Sequence, residues 1–228
     1  MTTASGRRPR TPSDDGAMTE QVEVPTREGI GRWYVDRPVR RPRAQLLLGH
    51  GAGGGVDSRD LVALSSALPD AGVLVARFEQ PWRVKGRKVA TRPPTLDAAW
   101  LDAVPAIRVD GVRLVAGGRS AGARVACRTA ADLGVDGVLA LAFPLHPPGR
   151  PERTRAAELP DRPTLIVQGD RDAFGTPADL AALDGPWTIV ALPGADHSFK
   201  VARSGPITGD EAIDLMVAAV RRWVTELP

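Results

Sequence analysis

The chain has 228 residues, a net charge of +3, 43% hydrophobic and 25% charged residues. That is room for one α/β domain with a full core, and the balance is globular rather than disordered. No apolar run approaches a membrane span, and the single cysteine, Cys127, excludes an intramolecular disulfide and points to a reducing, cytoplasmic setting.

Residues 1–18 are rich in Thr, Ser, Arg, Pro and Asp and lack the apolar stretch of a secretory signal, so they read as a disordered tail, with Met18 as an alternative start. The remainder, 19–228, reads as a single domain. Val22 to Val24 and Gly31 to Val35 predict a hairpin at a sheet edge. Ala44 to Leu48 is a short apolar run, a buried strand, ending at Gly49-His50-Gly51. Asp57 or Ser58 caps a helix through Leu68, whose apolar positions Leu61, Leu64 and Leu68 recur at helical spacing. Val73 to Phe78 is the next strand. Pro81 to Pro94 reads as a basic loop, and Thr95 as the cap of a helix to about Ile107.

Val112 to Ala116 predicts a strand, and Ala121 to Leu133 a helix directly after it. Val138 to Phe143 is a further strand, followed by a loop over 144–161 that carries five prolines. Thr164 to Val167 predicts a strand, Ala178 to Leu183 a short helix, Trp187 to Ala191 a strand, and Asp210 to Val224 a closing amphipathic helix. Apolar strands alternating with helices imply a three-layer α/β/α sandwich around a mostly parallel, doubly wound sheet with an antiparallel N-terminal hairpin. In such sheets chemistry collects beyond the carboxyl ends of the strands.

Those strand ends carry the candidate site. Gly118-Arg119-Ser120-Ala121-Gly122 is Gly-x-Ser-x-Gly in a strand–turn–helix setting, which presents a serine hydroxyl on a tight turn. Gly169-Asp170-Arg171-Asp172 and Gly194-Ala195-Asp196-His197 follow the two later strands, so the order is Ser, Asp, His. Ser120 is the candidate nucleophile and His197 its base. Asp172 is the carboxylate chosen to orient the imidazole, with Asp170 as the alternative. The backbone N–H groups of Ala52 and Ala121 are the candidate oxyanion donors.

Gly51, Gly53, Trp82, Phe143 and His146 are candidate substrate contacts, with Phe143 to Pro148 and Trp82 to Lys88 as the pocket rims. His50 reads as a hydrogen-bonding residue that shapes the Gly-rich loop; His146 is either pocket-lining or structural. The loop from His50 to Gly55 lacks the Gly-Lys-Ser/Thr ending of a phosphate loop, and no His, Cys or carboxylate spacing suits a metal, so no cofactor is expected. The basic clusters at 37–43 and 83–92, the second with Trp82 as its one nearby aromatic, read as solvated loops, not a nucleic-acid surface. The partner expected is a small-molecule acyl substrate, and the chain a monomer or homodimer.

With these residues in view, the span from about Glu20 to Leu227 resembles the α/β-hydrolase superfamily, and within it the small, lidless, dienelactone-hydrolase-like members. It is most similar to the domain shared by a testis-expressed protein and a scaffold subunit of a histone acetyltransferase complex. The matching segments are Gly49 to Gly54, Gly117 to Ser120, Phe143 to Gly149, Val167 to Gly175 and Asp196 to Phe199. The resemblance implies serine ester or thioester hydrolysis through Ser120, Asp172 and His197. A non-catalytic binding module, or an acyltransferase on the same residues, stands as the alternative.

Overall fold

The computed structural model describes residues 19–227; the expected tail and the Met18 start lie outside the described residues. One eight-stranded sheet runs through the molecule. Its strands are β1 (Glu20–Thr26), β2 (Gly29–Asp36), β3 (Ala44–Gly49), β4 (Val73–Glu79), β5 (Arg113–Arg119), β6 (Gly137–Leu141), β7 (Thr164–Gly169) and β8 (Trp187–Leu192). Their order in space is β1-β2-β4-β3-β5-β6-β7-β8. β2 pairs antiparallel with both β1 and β4, and every pairing from β4 onward is parallel.

The helices are α1 (Arg59–Ala67), α2 (Pro81–Val84), α3 (Pro93–Ala103), α4 (Ala121–Leu133), α5 (Pro177–Ala181) and α6 (Gly209–Glu226). Strand side chains alternate between the two faces, as a period of two requires. Leu47, Leu74, Ala76 and Phe78 join the core under α3 and α4, which is filled by Trp33 and Trp100. Leu46, Leu48, Val73 and Val75 join the opposite core, closed by α1 and α6 through Leu61, Leu64, Met216 and Val220. Burying one such leucine contributes about 1.5–3 kcal/mol, and strands β3, β6 and β7 are buried along their full length. The parallel centre of the sheet is therefore a rigid platform for the loops at its carboxyl edge.

Two sequence expectations are corrected. The stretch from Pro81 to Pro94 is not all loop: Pro81 opens the one-turn helix α2. α3 begins at Pro93, two residues before the expected cap at Thr95. Proline suits both starts, because the first turn of a helix needs no N–H from it and its fixed φ is already helical. α3 also ends at Ala103, and a tighter 3₁₀ turn over Val104–Ala106 carries the chain to Ile107.

Candidate active site

Ser120 sits between β5 and α4 with φ 52° and ψ −107°, a region that side-chain-bearing residues avoid at a cost of about 1–3 kcal/mol. Packing holds it there. Its own N–H donates to the Leu141 carbonyl on β6 at 2.9 Å. The start of α4 also lies directly on the end of β3: a β-carbon on Gly122 would overlap the Gly49 carbonyl, and one on Gly118 would crowd the same peptide. Glycine at these two positions lets backbone touch backbone, and the hydroxyl is pushed out above the sheet.

His197 follows β8 on a loop organised by Asp196, whose Oδ1 accepts the N–H groups of Ser198 at 2.7 Å and Lys200 at 3.0 Å. Phe199, at 1% exposure, anchors that loop in the core. His197 Nδ1 lies 2.8 Å from Asp172 Oδ2, and Nε2 lies 3.0 Å from Ser120 Oγ. A carboxylate at neutral pH only accepts, so Nδ1 carries the proton and Nε2 accepts from the serine hydroxyl. Phe174 packs against the imidazole with ring centroids 4.2 Å apart.

Asp172 is buried, and further donors hold both of its oxygens. Oδ1 accepts the Phe174 N–H at 2.8 Å, and Oδ2 also accepts Gln168 Nε2 at 2.8 Å. Asp170 is exposed and bonds the Gly194 N–H at 2.7 Å, bracing the turn after β8 rather than the imidazole.

Ala52 follows β3 on the Gly-rich loop and is exposed, as is Gly53; Ala121 is the first residue of α4. As a first-turn residue, Ala121 has an N–H without an intrahelical acceptor, at the positive end of the helix dipole. His50 is buried behind this loop. Its Nδ1–H donates to the Gly51 carbonyl at 2.8 Å and its Nε2 accepts the Gln80 N–H at 3.2 Å. Burial pushes its pKa below the usual histidine value, so the ring stays neutral and holds the loop in place.

An open cavity of about 560 Å³ lies over Ser120. It is lined by Gly51 to Gly54, by Phe174, His197, Ser198 and Lys200, and by Arg59, Asp60 and Arg119. That size suits a small-molecule ligand. Phe143, His146 and Trp82 do not line this cavity. Phe143 is fully buried in the core, because Ala142, with φ 47°, turns the chain inward straight after β6. His146 bonds the Pro147 carbonyl through Nδ1 at 3.0 Å and takes no part in lining this cavity. Trp82 packs edge-on to His50, 5.5 Å away, and lines a small cavity behind the Gly-rich loop together with Ala52 and Ala121. Lys85 and Arg87 border a separate pocket of about 70 Å³ together with Glu28, and Lys85 donates to the Glu28 carbonyl.

Four residues beside the site were not singled out from sequence. Gln168 carries a signal: it is a polar residue in the otherwise apolar strand β7. Phe174, Asp60 and Arg119 carry none, since they meet the site through contacts distant in sequence. No cluster of three or more His, Cys, Asp or Glu side chains is arranged to hold a metal among the described residues. No helix among them is long and apolar enough to cross a membrane.

The parallel sheet, the strained serine turn and the Ser120–His197–Asp172 hydrogen-bond line together define a protein of the α/β-hydrolase class. A family model described as an alpha/beta hydrolase domain matches residues 42–225, and the chain belongs to that family. Among solved structures it is similar to an α/β serine hydrolase without lid from Xanthomonas campestris, with 20% identity over 97% of this chain and all of that one, and a TM-score of 0.68. It is also similar to the ferulic-acid-bound Est1E from Butyrivibrio proteoclasticus, with 19% identity over 90% and 98% of the two chains and a TM-score of 0.72. A third match is a dienelactone hydrolase from Anabaena variabilis, with 19% identity over 92% and 99% and a TM-score of 0.70. At these identities the likeness is one of fold.

Proposed function

We propose that the chain is a serine hydrolase that cleaves a carboxylic ester or thioester through an acyl-enzyme on Ser120. The observation that carries this reading is the unbroken hydrogen-bond line from Ser120 Oγ through His197 to Asp172, at 3.0 and 2.8 Å. His197 Nε2 takes the serine proton as Oγ attacks the acyl carbon, then returns it to the leaving alcohol or thiol. Asp172 holds the tautomer and stabilises the imidazolium. The Ala52 and Ala121 N–H groups stabilise the oxyanion of the tetrahedral intermediate. Water, deprotonated by the same imidazole, then releases the acid and frees Ser120.

The open cavity and the absence of a long insertion between β6 and β7 favour small or surface-presented acyl groups. Within the family we place the chain with the dienelactone-hydrolase-like members and the domain shared by a testis-expressed protein and a histone acetyltransferase scaffold subunit. The Pro144-Leu145-His146-Pro147-Pro148-Gly149 run supports that placement. We assign it to the cytoplasm, in keeping with the buried free thiol of Cys127. The test is turnover of p-nitrophenyl acetate: a pre-steady-state burst equal to the enzyme concentration and its loss in Ser120→Ala support the reading, and equal turnover by both proteins refutes it.

A further inference from the structure

Arg119 stands directly before Ser120, and its side chain is 15% exposed. Three segments of the fold meet on its guanidinium. Nε lies 2.7 Å from Oδ2 of Asp60, in the first turn of α1. Nη2 donates to the backbone carbonyl of His197 at 2.6 Å. Nη1 faces Gly51, where a β-carbon would lie 3.4 Å away. Asp60 is itself 3% exposed, and its Oδ1 accepts the Leu61 N–H at 3.0 Å. The Nε contact on Oδ2 is an ion pair rather than an aligned hydrogen bond, so the guanidinium is the counter-charge that keeps this carboxylate buried.

We propose that Arg119 is a positioning residue for His197. This rests on the hydrolytic reading above. Asp172 holds the imidazole at Nδ1 and Phe174 packs on its ring, but neither contact holds the His197 backbone that carries the ring. Arg119 supplies the second anchor: it ties the His197 carbonyl to α1 through Asp60 and so fixes the distance from Nε2 to Ser120 Oγ. The planar guanidinium donates from Nη2 to the His197 carbonyl while its charge faces Asp60 through Nε. A lysine ammonium, a point charge on a flexible stem, does not reproduce that geometry.

The test introduces Arg119→Met, Arg119→Lys and Asp60→Asn into the full chain, each also in a His197→Ala background, with kcat and KM on p-nitrophenyl acetate and a melting temperature for every variant. Arg119→Met is expected to lower kcat about 10- to 100-fold, the scale of a misplaced catalytic group, with little change in KM. Arg119→Lys is expected to recover little of that loss. Added to His197→Ala, Arg119→Met is expected to cost nothing further, because it acts through the imidazole.

Wild-type kcat in Arg119→Met, or the same loss in both backgrounds, overturns the proposal. If Arg119→Met does not fold, Asp60→Asn decides: it keeps the guanidinium, removes its counter-charge, and is expected to lower kcat severalfold with the same background dependence. An unchanged kcat there overturns the proposal equally. Turnover by Ser120→Ala at the wild-type rate removes the hydrolytic reading itself, and this proposal with it.

Discussion

The amide nitrogen of Gln168 lies 2.8 Å from Asp172 Oδ2, the same oxygen that faces His197. That nitrogen also faces the carbonyls of Gly175 at 2.8 Å and Phe143 at 3.3 Å. One buried side chain on β7 therefore orients the carboxylate and joins it to the loop after β6. Gln168→Leu keeps the volume and removes the donor. The expected result is a kcat reduced about tenfold with KM unchanged, because the imidazole loses its fixed partner. A stability loss of about 1–3 kcal/mol should accompany it, from the Gly175 carbonyl left without its donor. Urea unfolding and steady-state kinetics on the one variant check both; an unchanged kcat would assign Gln168 to folding alone.

Much of this architecture is written in local pattern. Apolar runs of strand length place β3 through β8, and the helix expected over Ala121 to Leu133 is α4 with the same bounds. Gly-x-Ser-x-Gly between a strand and a helix marks the turn, since small residues there have a steric cause. Contacts made across the fold are not legible in this way. Arg119 reaches the His197 carbonyl 78 residues away, and no local period encodes that meeting. Phe143 misled for a related reason. Alternation assigns faces within a strand, but β6 ends at Leu141 and the positive φ of Ala142 resets the direction of the next side chain. Asp170 and Asp172 are two residues apart in one loop, and only the turn geometry decides which carboxylate meets the imidazole.

The backbone contact beneath the serine turn predicts a contrast between two glycines. A β-carbon at Gly122 would overlap the Gly49 peptide, whereas one at Gly53 would have nothing within 4 Å. Gly122→Ala should cost about 1–3 kcal/mol through overpacking against backbone that cannot yield. It should also reduce activity by shifting Ser120. Gly53→Ala should unfold at the wild-type urea concentration. Equal midpoints for the two variants would contradict the contact.

His50 predicts a pH dependence of stability. Its folded pKa is depressed by burial from the ordinary 6.5, so the unfolded chain binds this proton first as the solution is acidified. The stability it contributes is complete above 6.5 and is lost as pH falls from there through the lower folded value. Melting temperatures of wild type and His50→Asn between pH 7.5 and acid should therefore converge as pH drops, with the wild type losing more. Parallel curves would exclude His50 as the source.

Burial pushes the Cys127 thiol up to about 12. The reactive thiolate is therefore almost absent at neutral pH. A maleimide or disulfide reagent should leave the folded protein unmodified over hours and react fully once urea exposes α4. Rapid labelling of the native chain would mean that α4 opens locally far more often than its buried face allows.

The most direct measurement of the central claim is the intact mass after exposure to a fluorophosphonate probe, for wild type, Ser120→Ala and His197→Ala. An assembled site predicts one stoichiometric adduct on the wild type, none on Ser120→Ala, and a labelling rate lowered at least a hundredfold in His197→Ala, in line with general-base assistance of about 10²–10⁴. A folded wild type that gains no mass, or an adduct that persists in Ser120→Ala, would contradict the account and leave the fold as a binding module.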